Sequence, residues 1–176
     1  MKTILSLLLI LCLTLPLFGC ASNTVRIESP ANFYYRRNEI SYWQEDGVIQ
    51  SETREIAGME TEFDKILALY LSGPQSDTLR SVFPKYTKLL SFEIVDNTAY
   101  LSISNDLQTL TGMDLTIACT CLAITTMDLT NAEIVQIQTE LPFPDGSNVR
   151  IIDKSCLILL DDSAQLIYES NGGNDE

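Results

Sequence analysis

Residues 4–18 run from Ile4 to Phe18 with hardly a polar side chain and stop just short of Cys20. With Lys2 ahead of it, this stretch has the form of a secretory signal, a short positive region followed by an apolar one. A bilayer crossing takes roughly 20 apolar residues, more than the run supplies, and Thr14 and Pro16 interrupt its end. The folding unit is therefore expected outside the cytosol, within residues 20–176. That length suits one domain with its own core and is short for two.

The segment Leu17-Phe18-Gly19-Cys20 resembles the lipobox of bacterial lipoproteins, an aliphatic residue followed at the fourth position by cysteine. The resemblance implies that residues 1–19 are removed and that Cys20, diacylated on sulfur, becomes the first residue of the mature chain. Two acyl chains anchor a protein stably. In a simple secreted protein, by contrast, Cys20 would be only a free thiol. Residues 20–30 are expected to be the lipidated cysteine and its tether, 31–169 the domain, and 170–176, rich in Gly, Asn and acids, a disordered tail.

The formal charge is −13. Proteins bind nucleic acid by neutralising phosphates with Lys and Arg, so no nucleic-acid partner is expected. The chain has no histidine, which removes Ser-His-Asp and Cys-His nucleophiles and the commonest zinc ligand. Asp145-Gly146-Ser147-Asn148 carries one carboxylate and reads as a turn, not a calcium loop. With 24 acidic residues some close carboxylate pairs are inevitable, so a pair alone signals no glycosidase. No catalytic residue, metal or cofactor is expected, and the chain reads as a binding protein and not an enzyme.

Alternation and helical spacing outline the domain. Residues 33–37, 40–43 and 48–56 read as strands, and 48–56 is named as an exposed edge open to backbone pairing. Phe63, Ile66, Leu67, Tyr70 and Leu71 share one helical face, with Thr61 and Asp64 at capping spacing and Gly73-Pro74 as the stop. Leu90, Phe92 and Ile94 alternate with polar residues, as do Ala99, Leu101 and Ile103, and Asp96-Asn97 joins the two runs into a hairpin. A second helix is expected over 113–127, with Thr111 and Asp114 at its cap, and it is apolar nearly all round. Strand 134–139 follows, with Val135 and Ile137 facing the core, and then 149–153 and 156–160 as an added pair. The fold class is α+β, a mostly antiparallel sheet with two packed helices.

Cys119 and Cys121 sit two apart on the second helix and point about 200° apart, so they neither bridge each other nor chelate one metal. They read as small buried residues, and a bridge from either to Cys156 stays open.

Three stretches carry a family resemblance: Leu69-Tyr70-Leu71-Ser72-Gly73-Pro74, Pro84-Lys85-Tyr86-Thr87-Lys88-Leu89-Leu90, and Ala99-Tyr100-Leu101-Ser102. Over about residues 33–139 the chain resembles the GerMN domain of sporulation and spore-germination lipoproteins. The resemblance implies a compact domain, similar to ring-building modules, that docks an envelope protein partner or copies of itself. It implies no catalytic residue. A second use of the surface is an envelope glycan or peptide site on Tyr34, Tyr35, Tyr42 and Trp43. At strand spacing the same aromatics are more often core and cross-strand packing.

Overall fold

The computed structural model describes residues 25–39 and 47–157. The signal, Cys20, the expected strand at 40–43 with Tyr42 and Trp43, and the tail lie outside these residues.

The elements are β1 (Ala31–Arg37), β2 (Ile49–Arg54), α1 (Phe63–Leu71), β3 (Leu79–Arg80), β4 (Leu89–Val95), β5 (Thr98–Ile103), α2 (Gly112–Thr130), β6 (Ile134–Gln138) and β7 (Val149–Asp153), with short 3-10 helices at Asn105–Thr109 and Lys154–Cys156. They form a three-stranded sheet in the order β2-β1-β3 and a four-stranded sheet in the order β4-β5-β6-β7. All pairings are antiparallel except β5 with β6, which run parallel. A parallel pair needs a long crossover. Here α2 supplies it, so the expected α+β fold contains one β-α-β unit.

Helix α2 explains its own composition. It packs against β1 of the small sheet and against β5, β6 and β7 of the large one, which leaves little of it for water. Leu115, Ile117, Ala118, Cys119, Cys121, Leu122, Ala123 and Ile124 are all buried. The helix is long and apolar enough to cross a membrane by composition, but most of it lies inside the domain. Its C-terminus is closed by Asn131 in the left-handed conformation at φ 58°, where Asn is tolerated better than most residues.

Several local expectations give way to tertiary contacts. Neither helix has a side-chain cap: Glu62, not Thr61, stands at the start of α1, and Thr111 makes no capping bond. Asp114 instead pairs with Arg36 on β1 at 3.0 Å. Leu90 does not face the core. A bulge between Leu89 and Ser91 gives the inward position to Leu89, opposite Ile103, and turns Leu90 out. Strand β7 pairs with β6, and residues 154–156 form a 3-10 turn with Cys156 exposed, while residues 158–160 of the expected added pair lie outside the described residues. Cys119, Cys121 and Cys156 are all free. Within the expected tether, Ile27 is buried, and its N–H donates to the Glu60 carbonyl at 2.7 Å.

Candidate functional site

Strand alternation divides the aromatic residues of β1. Phe33 and Tyr35 point inward and are fully buried, while Tyr34 is half-buried on the opposite face. Tyr35 therefore cannot belong to a stacking surface. Its hydroxyl donates to the Tyr70 carbonyl at 2.7 Å, and burial pushes its pKa above the ordinary range. Tyr34 is tied down through its backbone: its N–H donates to Thr125 Oγ1 at 3.0 Å and its carbonyl accepts from the Tyr70 hydroxyl at 2.8 Å. Of the four aromatics, Tyr35 is buried and Tyr34 half-buried, and Tyr42 and Trp43 lie outside the described residues.

Beside this aromatic layer lies a buried ion pair that sequence reading missed. The register of β2 on β1 sets Arg54 opposite Ala31 and Glu52 opposite Phe33, so both charges fall on the inward face. Arg54 Nε donates to Glu52 at 2.5 Å, and its terminal nitrogens donate to the Gly73 carbonyl at 2.6 Å, the Tyr35 hydroxyl at 3.2 Å and the Leu69 carbonyl at 3.3 Å. The guanidinium also lies over the Phe33 ring, 5.2 Å from its centre. Glu52 accepts the backbone N–H groups of Gln75 and Ser76. Helix α1 has no basic residue in its last turn, so Arg54 satisfies its exit carbonyls from the neighbouring sheet. Burial alone would raise the Glu52 carboxyl, but the two backbone donors and Arg54 outweigh it and hold the group below its ordinary range. Every donor and acceptor here is spent on the fold. The only sequence signal was a Glu and an Arg two apart in a strand, which by alternation share a face.

A cleft of about 510 Å³ opens beside the end of β1, lined by Arg37, Asn38, Glu39, Gln50, Asp77 and Thr78. It is lined by polar side chains, unlike the largely apolar pockets that hold small ligands. Among the described residues no group of three Cys, Asp or Glu side chains could hold a metal ion.

The surface with the clearest capacity for contact is the outer face of the four-stranded sheet. Its register aligns Glu93, Tyr100, Gln136 and Ile151 in one row across all four strands. The next row is Val95, Thr98, Ile134 and Asp153. The inner rows, Phe92-Leu101-Ile137 and Ile94-Ala99-Val135-Ile152, belong to the core under α1 and α2. On the outer face Tyr100 is 39% exposed, Val95 45% and Ile151 64%, with Ile134 half-buried between them. Polar and apolar side chains alternate on this face, with Gln136 between Tyr100 and Ile151 and Thr98 between Val95 and Ile134, so the apolar residues are neighbours along the diagonal Val95, Tyr100, Ile134 and Ile151. Among the described residues, strands β4 and β7 are the edges of that sheet, and β2 is an edge of the other, as its sequence suggested.

Comparison with known proteins accounts for this architecture. The Germane family model, described as sporulation and spore germination, matches residues 33–140, well over half of the chain. Among solved structures, the first GerMN domain of the sporulation protein GerM from Bacillus subtilis aligns with a TM-score of 0.55 at 18% identity, covering 72% of this chain and 96% of that one. The tandem GerMN domains of the same protein align at 18% identity and a TM-score of 0.49, covering 78% of this chain and 48% of that one, so the present chain spans about half of the tandem. A crystal structure of a candidate lipoprotein from Clostridium perfringens aligns at 20% identity and a TM-score of 0.41, covering 73% of this chain and 93% of that one. No curated protein matches the chain significantly in sequence. The first alignment fixes the fold, and the family match fixes the membership: this chain belongs to the GerMN family of sporulation and spore germination.

Proposed function

We propose that the chain is a lipid-anchored, extracytoplasmic assembly domain of the bacterial envelope that serves sporulation or spore germination by binding another protein or further copies of itself. The observation that carries this reading is the exposure of Val95, Tyr100 and Ile151 on one face of the four-stranded sheet. Exposed apolar side chains gathered on one sheet face mark a contact surface, and aromatic residues dominate the energetics of such contacts. Family membership supports the process, and the signal-like residues 4–18 followed by Cys20 support attachment to the outer face of the cell membrane. Arg54 and the Tyr35 and Tyr70 hydroxyls, buried inside the domain, are consumed by structural hydrogen bonds, which favours binding over catalysis.

The test is genetic and structural together. A strain carrying Tyr100→Lys with Ile151→Lys in place of the native chain is expected to lose efficient spore formation or germination while the purified variant keeps native circular dichroism and melting behaviour. Both side chains face solvent, where substitutions usually change stability by no more than about 0.5 kcal/mol. A correctly folded double variant that supports normal spore formation and germination would overturn the assembly reading of this face.

A further inference from the structure

The charge of this acidic chain is unevenly distributed. Residues 78–92 contain Arg80, Lys85 and Lys88 and no acidic residue. Within that stretch, Thr87 is buried and Leu89 half-buried, while Tyr86, Lys88 and Leu90 are exposed. Tyr86 stands in the turn at residues 85–86, and Lys88 and Leu90 follow it at two-residue intervals on the way into β4. Tyr86 is 66% exposed and Leu90 49%, large fractions for an aromatic and an aliphatic residue. The Lys85 ammonium sits 5.7 Å from the centre of the Tyr86 ring. The bulge that releases Leu90 from the core adds it to this stripe at the end of an edge strand.

We infer that Lys85, Tyr86, Lys88 and Leu90 form a membrane-facing patch that rests on anionic phospholipid. Lysines attract the headgroups, and an amphipathic tyrosine and an exposed leucine enter the interface, which is the composition of interfacial anchors. The inference rests on the proposed lipid anchor, which brings the patch within reach. Five residues from Cys20 to Val25 span at most about 18 Å, and by Ile27 the chain is bonded to Glu60 just ahead of α1. The first residue of α1, Phe63, stacks on Phe92, two residues beyond Leu90. The tether thus enters the domain beside the strand that carries the patch. A domain of net charge −13 held this close to an anionic surface is repelled by most of its own surface. Turning this acid-free stretch, with its three cations, toward the headgroups relieves that repulsion and fixes the orientation in which the sheet face meets its partner. The nearest acids, Asp77 and Glu93, flank the stretch, and Asp106 is linked to the Lys88 backbone through the Ser104 hydroxyl.

Hydrogen–deuterium exchange on the full chain reconstituted in vesicles tests this directly. On equal parts phosphatidylcholine and phosphatidylglycerol, amides of residues 85–90 are expected to exchange more slowly than on phosphatidylcholine alone, by about fivefold for each lysine engaged. Molar salt should erase the difference. Lys85→Glu with Lys88→Glu should erase it too, while leaving exchange in α2 unchanged. Equal rates on the two vesicle types would overturn the inference. So would stronger protection by soluble polyglutamate than by the mixed vesicles, which would assign the patch to an acidic protein. Mass spectrometry of Cys20 in the native host reads the anchor separately. An unacylated Cys20 would remove that part of the proposed function, while the vesicle comparison would still report on the patch through the apolar residues 4–18.

Discussion

A guanidinium withdrawn from water is tolerated only when its charge and its donors are met, and Arg54 meets both conditions through Glu52, Tyr35, Leu69 and Gly73. Breaking one side of such a pair strands the other charge. Arg54→Met is therefore expected to lower stability by about 3–5 kcal/mol in urea denaturation, with part of the loss recovered when Glu52→Gln is added. The pair also sets an acid limit. The carboxyl of Glu52 is held below its ordinary value of 4.5 in the folded chain, so its contribution is present above that value and disappears as pH falls through the lower folded one. Wild-type stability should decline on acidification below about 4.5, and Glu52→Gln should flatten that decline. The thiols divide as sharply. Burial pushes Cys119 up to about 11 and Cys121 to about 12, whereas Cys156 is exposed. Iodoacetamide at neutral pH should label Cys156 in the folded chain and reach Cys119 and Cys121 only after denaturation, as read by mass spectrometry of peptides. Sequence showed that the two helical cysteines were core residues. It did not show the Arg54 and Glu52 pair, because two charges on an inward strand face run against the alternation by which strands are recognised, and only the wrap of the α1 exit around β2 makes their burial tolerable.

Adjacent threonines on α2 separate what an element requires from what it merely accommodates. Both Thr125 and Thr126 are buried, but Thr125 Oγ1 accepts the Tyr34 N–H, whereas Thr126 Oγ1 has no hydrogen-bond partner among the described residues. Strand β1 pairs with β3 only at Arg36 and Arg37, so along the rest of that edge the helix supplies part of what a neighbouring strand would. Thr125→Val should cost about 1–2 kcal/mol by leaving a backbone donor unmet, while Thr126→Val should be neutral or stabilising. Thermal melts of the two variants side by side check the contrast. At this scale the sequence was largely readable. Helical spacing located α1 and α2, alternation located β4, β5 and β6, and Gly73 closes α1 at φ 104° as expected for a glycine stop. The errors fell where long-range partners decide. Asp114 left its cap for Arg36, the bulge at Leu90 shifted a face, and the parallel pairing of β5 and β6 depends on where α2 returns the chain.

For the whole molecule, the decisive property is a row of side chains drawn from four strands. Alternation alone predicted that Tyr100 points away from the core. It could not place Ile151 two strands away in the same row, because that neighbourhood exists only through the β5–β6 and β6–β7 registers. Of the aromatic cluster read from sequence, Tyr35 is buried where β1 faces α2, as the packing reading has it, while Tyr42 and Trp43 lie outside the described residues. If the sheet face docks a partner, Tyr100 is its principal aromatic residue, and removing such a residue typically costs about 2 kcal/mol or more, near thirtyfold in affinity. The most direct measurement is the position of a fluorescently tagged chain through growth and spore formation in its native host, wild type beside the Tyr100→Lys and Ile151→Lys double variant. A focus or ring at the engulfing septum, present only during sporulation and dispersed in the folded double variant, is the expected result. An even distribution around vegetative cells, unchanged by the substitutions, would contradict both the sporulation role and the sheet face as the assembly surface.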